Sequence, residues 1–251
     1  MSYIGPNVLL TGANRGIGFG LVQRLLERED VKQIFAGVRN PEKVEALQKL
    51  AHADQRIRIL RLDCLDDGQI EAAVKYVESK VGDEGLNLLI NNAGILMPEE
   101  TVITKPDRRA LSLVFETNVT SCIMIQAAFL PLLNQAAKYF NRPSKLLNVS
   151  SERGSSEDLN SSIPPWDDFA VAYSSSKAAL NNVTKQIATI EDAKNIIALA
   201  MCPGWCKTDM GGEAGRFTVK ESTTTMINTI AKAGKDDSGR FVNRFGEKIN
   251  Y

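Results

Sequence analysis

Residues 7–18, Asn-Val-Leu-Leu-Thr-Gly-Ala-Asn-Arg-Gly-Ile-Gly, run an apolar segment straight into a turn with glycine at 12, 16 and 18. A strand, a glycine turn and a helix in immediate succession leave few folds open. Gly12 permits a tight turn, Gly16 lets a phosphate approach the backbone, and Gly18 lets the helix sit close to the strand. The helix dipole and the free amides at its start favour a pyrophosphate there. Gly12, Asn14, Arg15, Gly16, Ile17 and Gly18 are therefore candidate dinucleotide contacts. The spacing is Gly-x-x-x-Gly-x-Gly. A purely structural turn is the alternative, and the strand–turn–helix context argues against it.

The rest of the chain continues the same rhythm. Apolar runs rich in Val, Ile and Leu fall at 7–11, 33–38, 57–62, 87–91, 145–150, 196–202 and 240–243. They do not alternate with polar residues, as expected of strands covered on both faces. Helical patterns lie between them, at about 17–28, 41–51, 67–80, 107–137, 172–190 and 221–232. This predicts one α/β domain over 1–251, with helices on both faces of a parallel sheet. The hydrophobic fraction of 43% is enough for a sizeable core. Net charge is zero, so no basic field marks a nucleic-acid or membrane-surface binder. The pattern predicts no apolar run approaching the ~20 residues of a membrane span. No signal segment precedes the first strand, so a cytoplasmic location is expected. Cys64, Cys122, Cys202 and Cys206 lack zinc-like spacing and read as free thiols, and His52 is the sole histidine. A metal site and a histidine-based triad are thereby nearly excluded.

Cofactor choice is written at the end of the second strand. Enzymes that select NAD usually carry Asp or Glu there to hold the ribose hydroxyls. Here the strand ends Phe35-Ala-Gly-Val-Arg39, with no carboxylate. Arg39, together with Arg15 in the turn, suits a 2′-phosphate through its planar fork. The expected cofactor is NADP(H); solvated surface arginines are the alternative. Asp63, after the third strand, fits either the adenine amino group or the N-cap of the next helix. Asn92, Ala93 and Gly94 follow the fourth strand and let the backbone lie against the ribose. Asn91 fits a brace between strands equally well.

Carbonyl reduction needs a hydride for carbon and a proton for oxygen. Tyr173 and Lys177 are four residues apart, so both sit on one helix face. An ammonium beside a phenol favours phenolate and lowers its pKa. Alone, the pair reads as an ordinary amphipathic helix. Ser151, just past the fifth strand, adds a donor for a carbonyl oxygen; it is preferred to Ser150 because alternate strand residues face opposite ways. Asn118, of mediocre propensity within 107–137, fits a specific role or a solvent-facing position.

Together these motifs resemble the short-chain dehydrogenase/reductase family, from Thr11 to the Gly239–Asn243 strand, and within it the sniffer-type carbonyl reductases and C-factor-like proteins. The finer likeness rests on Cys202-Pro-Gly-Trp-Cys-Lys-Thr-Asp-Met-Gly-Gly212. The resemblance implies a seven-stranded Rossmann sheet in the order 3-2-1-4-5-6-7. It implies a tetrad of Asn118, Ser151, Tyr173 and Lys177: Tyr173 as acid/base, Ser151 polarising the carbonyl, Lys177 lowering the tyrosine pKa and binding ribose, and Asn118 holding a water of a proton relay. Pro203, Gly204 and Thr208 resemble the wall beside the nicotinamide. The family usually associates through the helices here at 107–137 and 172–190, which makes a homodimer the expected assembly.

Ser151 and Tyr173 lie 22 residues apart, longer than the family's commonest separation, so a loop near 155–168 must stand beside the site. The stretches 152–171 and 207–220 are expected to wall a pocket, offering Trp166, Phe169, Trp205, Met210 and Phe217 to an apolar or aromatic small-molecule carbonyl substrate. Two other functions fit the fold: a non-enzymatic dinucleotide sensor, which would be expected to lose Tyr173 or Lys177, and an NAD-dependent alcohol dehydrogenase, which would be expected to carry an acid near Val38.

Overall fold

Seven apolar segments pair side by side, all in parallel, into one sheet of order β3-β2-β1-β4-β5-β6-β7. The strands are β1 Asn7–Thr11, β2 Gln33–Val38, β3 Ile57–Arg61, β4 Leu88–Asn91, β5 Ser144–Val149, β6 Ile196–Cys202 and β7 Arg240–Asn243. The helices are α1 Gly16–Leu26, α2 Glu45–Ala53, α3 Asp67–Val81, α4 Arg108–Phe115, α5 Ser121–Tyr139, α6 Val171–Ile187 and α7 Val219–Lys232. The architecture is that of a computed structural model, which describes residues 2–157 and 171–251. Trp166, Phe169 and most of the loop expected near 155–168 lie outside the described residues.

Alternate residues of β1 seed two separate cores. Val8 and Leu10 pack with α1, α2 and α7, whereas Leu9 packs with Phe35 and the apolar faces of α3 and α5. Every residue of β1, β4, β5 and β6 is buried, which explains why these runs show no polar alternation.

Two sequence expectations are modified. The helix expected over 107–137 runs continuously over Arg108–Tyr139, with a π-turn at Glu116–Thr120 between α4 and α5. Asn118 sits in that turn, and its side chain ties the helix to the segment after β4 instead of facing solvent. Secondly, residues 117–137 carry no Asp, Glu, Lys or Arg, and the stretch Arg108–Tyr139 is long and apolar enough to cross a membrane by length and composition. Its apolarity is used in the core, where Ile125, Phe129, Leu132 and Leu133 lie against the sheet.

Helix ends show how side chains close off the backbone. Asp66 caps α3, Asp107 caps α4, and Thr218 with Glu221 forms a capping box on α7. At the other end of α7, Lys145 of β5 donates to the carbonyls of Ile230 at 2.6 Å, Ala231 at 3.0 Å and Tyr3 at 2.8 Å. A buried ammonium thus satisfies last-turn carbonyls at the negative end of the helix dipole. Burial pulls its pKa down to about 8, which leaves the charged form dominant at neutral pH. Lys145→Met is expected to destabilise the fold by about 3 kcal/mol, since three carbonyls lose a charged donor. Urea denaturation checks this, and an unchanged midpoint would mean that water replaces the ammonium freely.

Candidate active site

The carboxyl ends of β1 to β6 open onto one cavity of about 470 Å³. Its wall begins at the glycine turn. Gly12 and Gly16 adopt φ of +66° and +52°, in the left-handed region. Gly18 is required by space: a Cβ there would lie 2.1 Å from the Gly12 carbonyl oxygen. Asn92 holds the turn from the β4 side, its side-chain amide donating to the carbonyls of Thr11 at 2.9 Å and Gly12 at 3.1 Å. Thr11 Oγ1 accepts in return from the amides of Asn92 and Ala93. Asn91 instead donates to Asn148 Oδ1 and braces β4 to β5.

Helix α1 has no side-chain cap, unlike α3, α4 and α7, and no acidic residue in its first turn. Its orphan amides and positive dipole end are left for a ligand anion. Arg39 and Lys43 line the cavity beyond β2. Arg15 also lines it, but its guanidinium pairs with Asp209 across the mouth, with both side chains largely exposed. Lys43 was not singled out from the sequence; the signal was a lysine four residues past Arg39, in the turn Pro41–Lys43.

Beyond β3, Asp63 lines the cavity, and its carboxylate accepts from the Leu65 amide at 3.1 Å. The helix-cap alternative is corrected, because Asp66 caps α3. Pro203 and Thr208 line the opposite wall with Met210. Gly204 does not. Its φ is +79°, and it presses against Phe217 and the Arg244 guanidinium. Phe217, expected on the substrate side, is stacked under that guanidinium at 3.5 Å. The indole of Trp205 donates to the Gly211 carbonyl within the same loop.

Tyr173 and Lys177 line the far end. Lys177 is buried, donates to the Val149 carbonyl at 2.8 Å, and stands 5.5 Å from the Tyr173 ring centroid. Asn118 is wholly buried and absent from the lining. It accepts from the Ile95 amide and donates to the Ile95 carbonyl and Ser176 Oγ. Gly94 keeps this corner open, since a Cβ there would meet Asn118 Oδ1 at 3.2 Å and Lys177 Nζ at 3.6 Å. Ser151, also outside the lining, shares a side-chain hydrogen bond with Tyr173 and accepts from the Arg153 amide at 3.2 Å. Ser150, not Ser151, is the serine that lines the cavity, and its hydroxyl donates to Asn181 Oδ1.

The expectation that Lys177 lowers the Tyr173 pKa does not hold in the ligand-free chain. Burial pushes the phenol up to about 12, with Cys202 adding to the rise, while Ser151 and Arg153 oppose it. Lys177 itself is shifted down by burial. Desolvation penalises the charged form of each group. Cys202 is pushed up to about 12 by burial as well, and all four cysteines are free.

The likeness to known proteins follows the same residues. Residues 6–218 match the family model described as short chain dehydrogenase. The carbonyl reductase Sniffer of Drosophila melanogaster superposes with a TM-score of 0.92 at 35% identity, covering 98% of this chain and 100% of that one. An NADPH-bound carbonyl reductase from chicken fatty liver gives 0.92 and 35%, covering 100% and 96%. A benzil reductase, (S)-benzoin forming, of Saccharomyces cerevisiae is 30% identical over 82% of this chain and 74% of its own length.

Gly18→Ala is expected to cost about 1–3 kcal/mol by overpacking and to weaken dinucleotide binding, because the helix must move off the turn. Denaturation and tryptophan-quenching titrations check the two effects; wild-type values in both would mean that the turn yields without cost.

Proposed function

Because the chain belongs to the short-chain dehydrogenase family of oxidoreductases, we propose that it is an NADPH-dependent carbonyl reductase. The observation that carries this reading is a single cavity with Arg39 and Lys43 at one end, the uncapped start of α1 between, and Tyr173 with Lys177 at the other. Those residues fit the cofactor. The orphan amides of α1 and the glycine turn suit a pyrophosphate. Arg39 and Lys43, with Arg15 once it exchanges Asp209 for a stronger anion, suit a 2′-phosphate. The NADPH-bound chicken enzyme is a relative with the same architecture.

When bound, NADPH supplies the hydride that reduces the carbonyl carbon. Tyr173 gives its phenolic proton to the carbonyl oxygen. Its raised pKa keeps that proton in place at neutral pH, which is the form a reductase needs. Ser151 Oγ already accepts from the Arg153 amide. Its own hydrogen is left to donate toward Tyr173 or the carbonyl oxygen, where it would stabilise developing charge. The phenolate left behind is stabilised by the Ser151 bond and by the Arg153 charge. Lys177, which lies near Asn118 across Gly94, is placed to return a proton to the phenol. An apolar or aromatic ketone, aldehyde or quinone is the substrate class, supported by Met210 on the wall. The exposed Phe115, Ile123 and Met124 on α4 and α5 support a homodimer through that face.

Two substitutions test the reading. Tyr173→Phe is expected to lower kcat for benzil reduction by about 10²–10⁴-fold with little change in NADPH binding; retained turnover would remove the acid role. Arg39→Asp is expected to weaken NADPH by ~10–100-fold, the equivalent of one charged hydrogen bond at about 1.5–3 kcal/mol, and to leave NADH unaffected. Equal weakening of both cofactors would remove the selectivity.

A further inference from the structure

We propose that Asn181 is a positioning residue that sets the distance between Ser151 and Tyr173. The inference rests on the reading that these two residues carry the proton transfer.

Asn181 is one turn beyond Lys177 and two beyond Tyr173 on α6, on the same helix face, and it is wholly buried. Its side chain makes two bonds, one on each side of Ser151 in the chain. Oδ1 accepts from Ser150 Oγ at 2.5 Å. Nδ2 donates to the Gly154 carbonyl at 3.3 Å. The 3-10 turn Glu152–Gly154 that begins at Ser151 is thereby held between two anchors on the helix that carries Tyr173. Gly154 strengthens the constraint, because a Cβ there would lie 2.8 Å from the Lys177 carbonyl carbon. The turn rests directly on the helix backbone at Lys177. One amide side chain therefore fixes both approach and register between the strand end that bears Ser151 and the helix that bears the acid.

An amide suits this task. It offers one acceptor and one donor at fixed separation. A carboxylate replacement loses the donor, and a hydroxyl offers both functions from one atom without the amide's span. Such control matters because a misplacement of about 1 Å in a reacting pair can cost 10²-fold in rate.

The test compares Asn181→Leu, which is similar in volume and lacks both bonds, with Ser150→Ala, which removes only one. NADPH binding, thermal stability and benzil reduction are measured for each. Asn181→Leu is expected to lower kcat by about 10–100-fold, with NADPH affinity and the benzil KM nearly unchanged. Ser150→Ala is expected to lower kcat by several-fold, and adding it to Asn181→Leu should cost nothing more, as for groups acting through one bond. Loss of the Ser151 bond should also move the alkaline fall of kcat to higher pH, because that bond lowers the phenol's pKa. Thr184→Val removes a buried hydroxyl of the same helix that accepts from Asn148 and donates to Leu180. It is expected to lower stability and leave kcat intact.

Wild-type kcat in Asn181→Leu, with Tyr173→Phe inactive, would overturn the inference and leave the reductase reading standing. An equal fall of kcat in Thr184→Val would overturn it too, by assigning the effect to general loosening of α6. Turnover in Tyr173→Phe would remove the reading and this inference together. Should Asn181→Leu fail to fold, Ser150→Ala decides alone: a wild-type kcat and pH profile would overturn the inference.

Discussion

The contact between α1 and the end of β1 governs everything above the sheet. Gly18 touches the Gly12 carbonyl so closely that only hydrogen fits at position 18. The helix therefore begins within a few residues of the strand, pointing its uncapped amides into the cleft. Asn92 completes the arrangement from β4 by taking up the carbonyls that the turn leaves free. Without that brace the turn would expose acceptors to the cavity in which an anion is to sit. The phosphate-facing character of the site thus follows from one steric limit and one amide.

At the other end of the cavity the governing quantity is desolvation. Tyr173 and Lys177 are both buried deeply enough that the charged form of each is disfavoured. A spacing of four residues encodes the attraction between a cation and a phenolate. The burial that opposes it comes from strand ends distant in sequence, so no local pattern reveals it. The result keeps the proton on the phenol, the form that the proposed reduction uses. A bound ligand adds charge and hydrogen bonds to the same space, so the raised pKa belongs to the ligand-free phenol.

Much of the fold could be read from the chain because each strand is a short apolar run covered on both faces, and such runs differ plainly from helical spacing. The glycine turn could be read because its three glycines answer three separate steric demands. Features that depend on distant partners were not legible. Asn181 looks like a polar residue on an amphipathic helix, yet its partner Ser150 is 31 residues away. The π-turn at Glu116–Thr120 arises where Asn118 bonds to Ile95, 23 residues earlier, and no local propensity encodes it. Lys43 resembled any solvated lysine until β2 and the following turn brought it beside Arg39.

The Arg15–Asp209 pair illustrates how magnitudes separate latch from bystander. It spans the cavity mouth and invites a reading as the clasp of the 207–218 segment. Both side chains are largely in water, and such pairs contribute about 0–1 kcal/mol. The segment is shaped by stronger restraints. Cys206 and Phe217 form a β-bridge, the Lys207 amide donates to Phe217, and Thr208 Oγ1 accepts from the Gly211 amide. Gly211 is pressed against the Cys206 carbonyl, and Arg244 is stacked on Phe217. A charged hydrogen bond to a phosphate is worth about 1.5–3 kcal/mol, more than the pair it would replace. Arg15 can therefore leave Asp209 for an incoming anion at little cost, while the wall that carries Asp209 keeps its form.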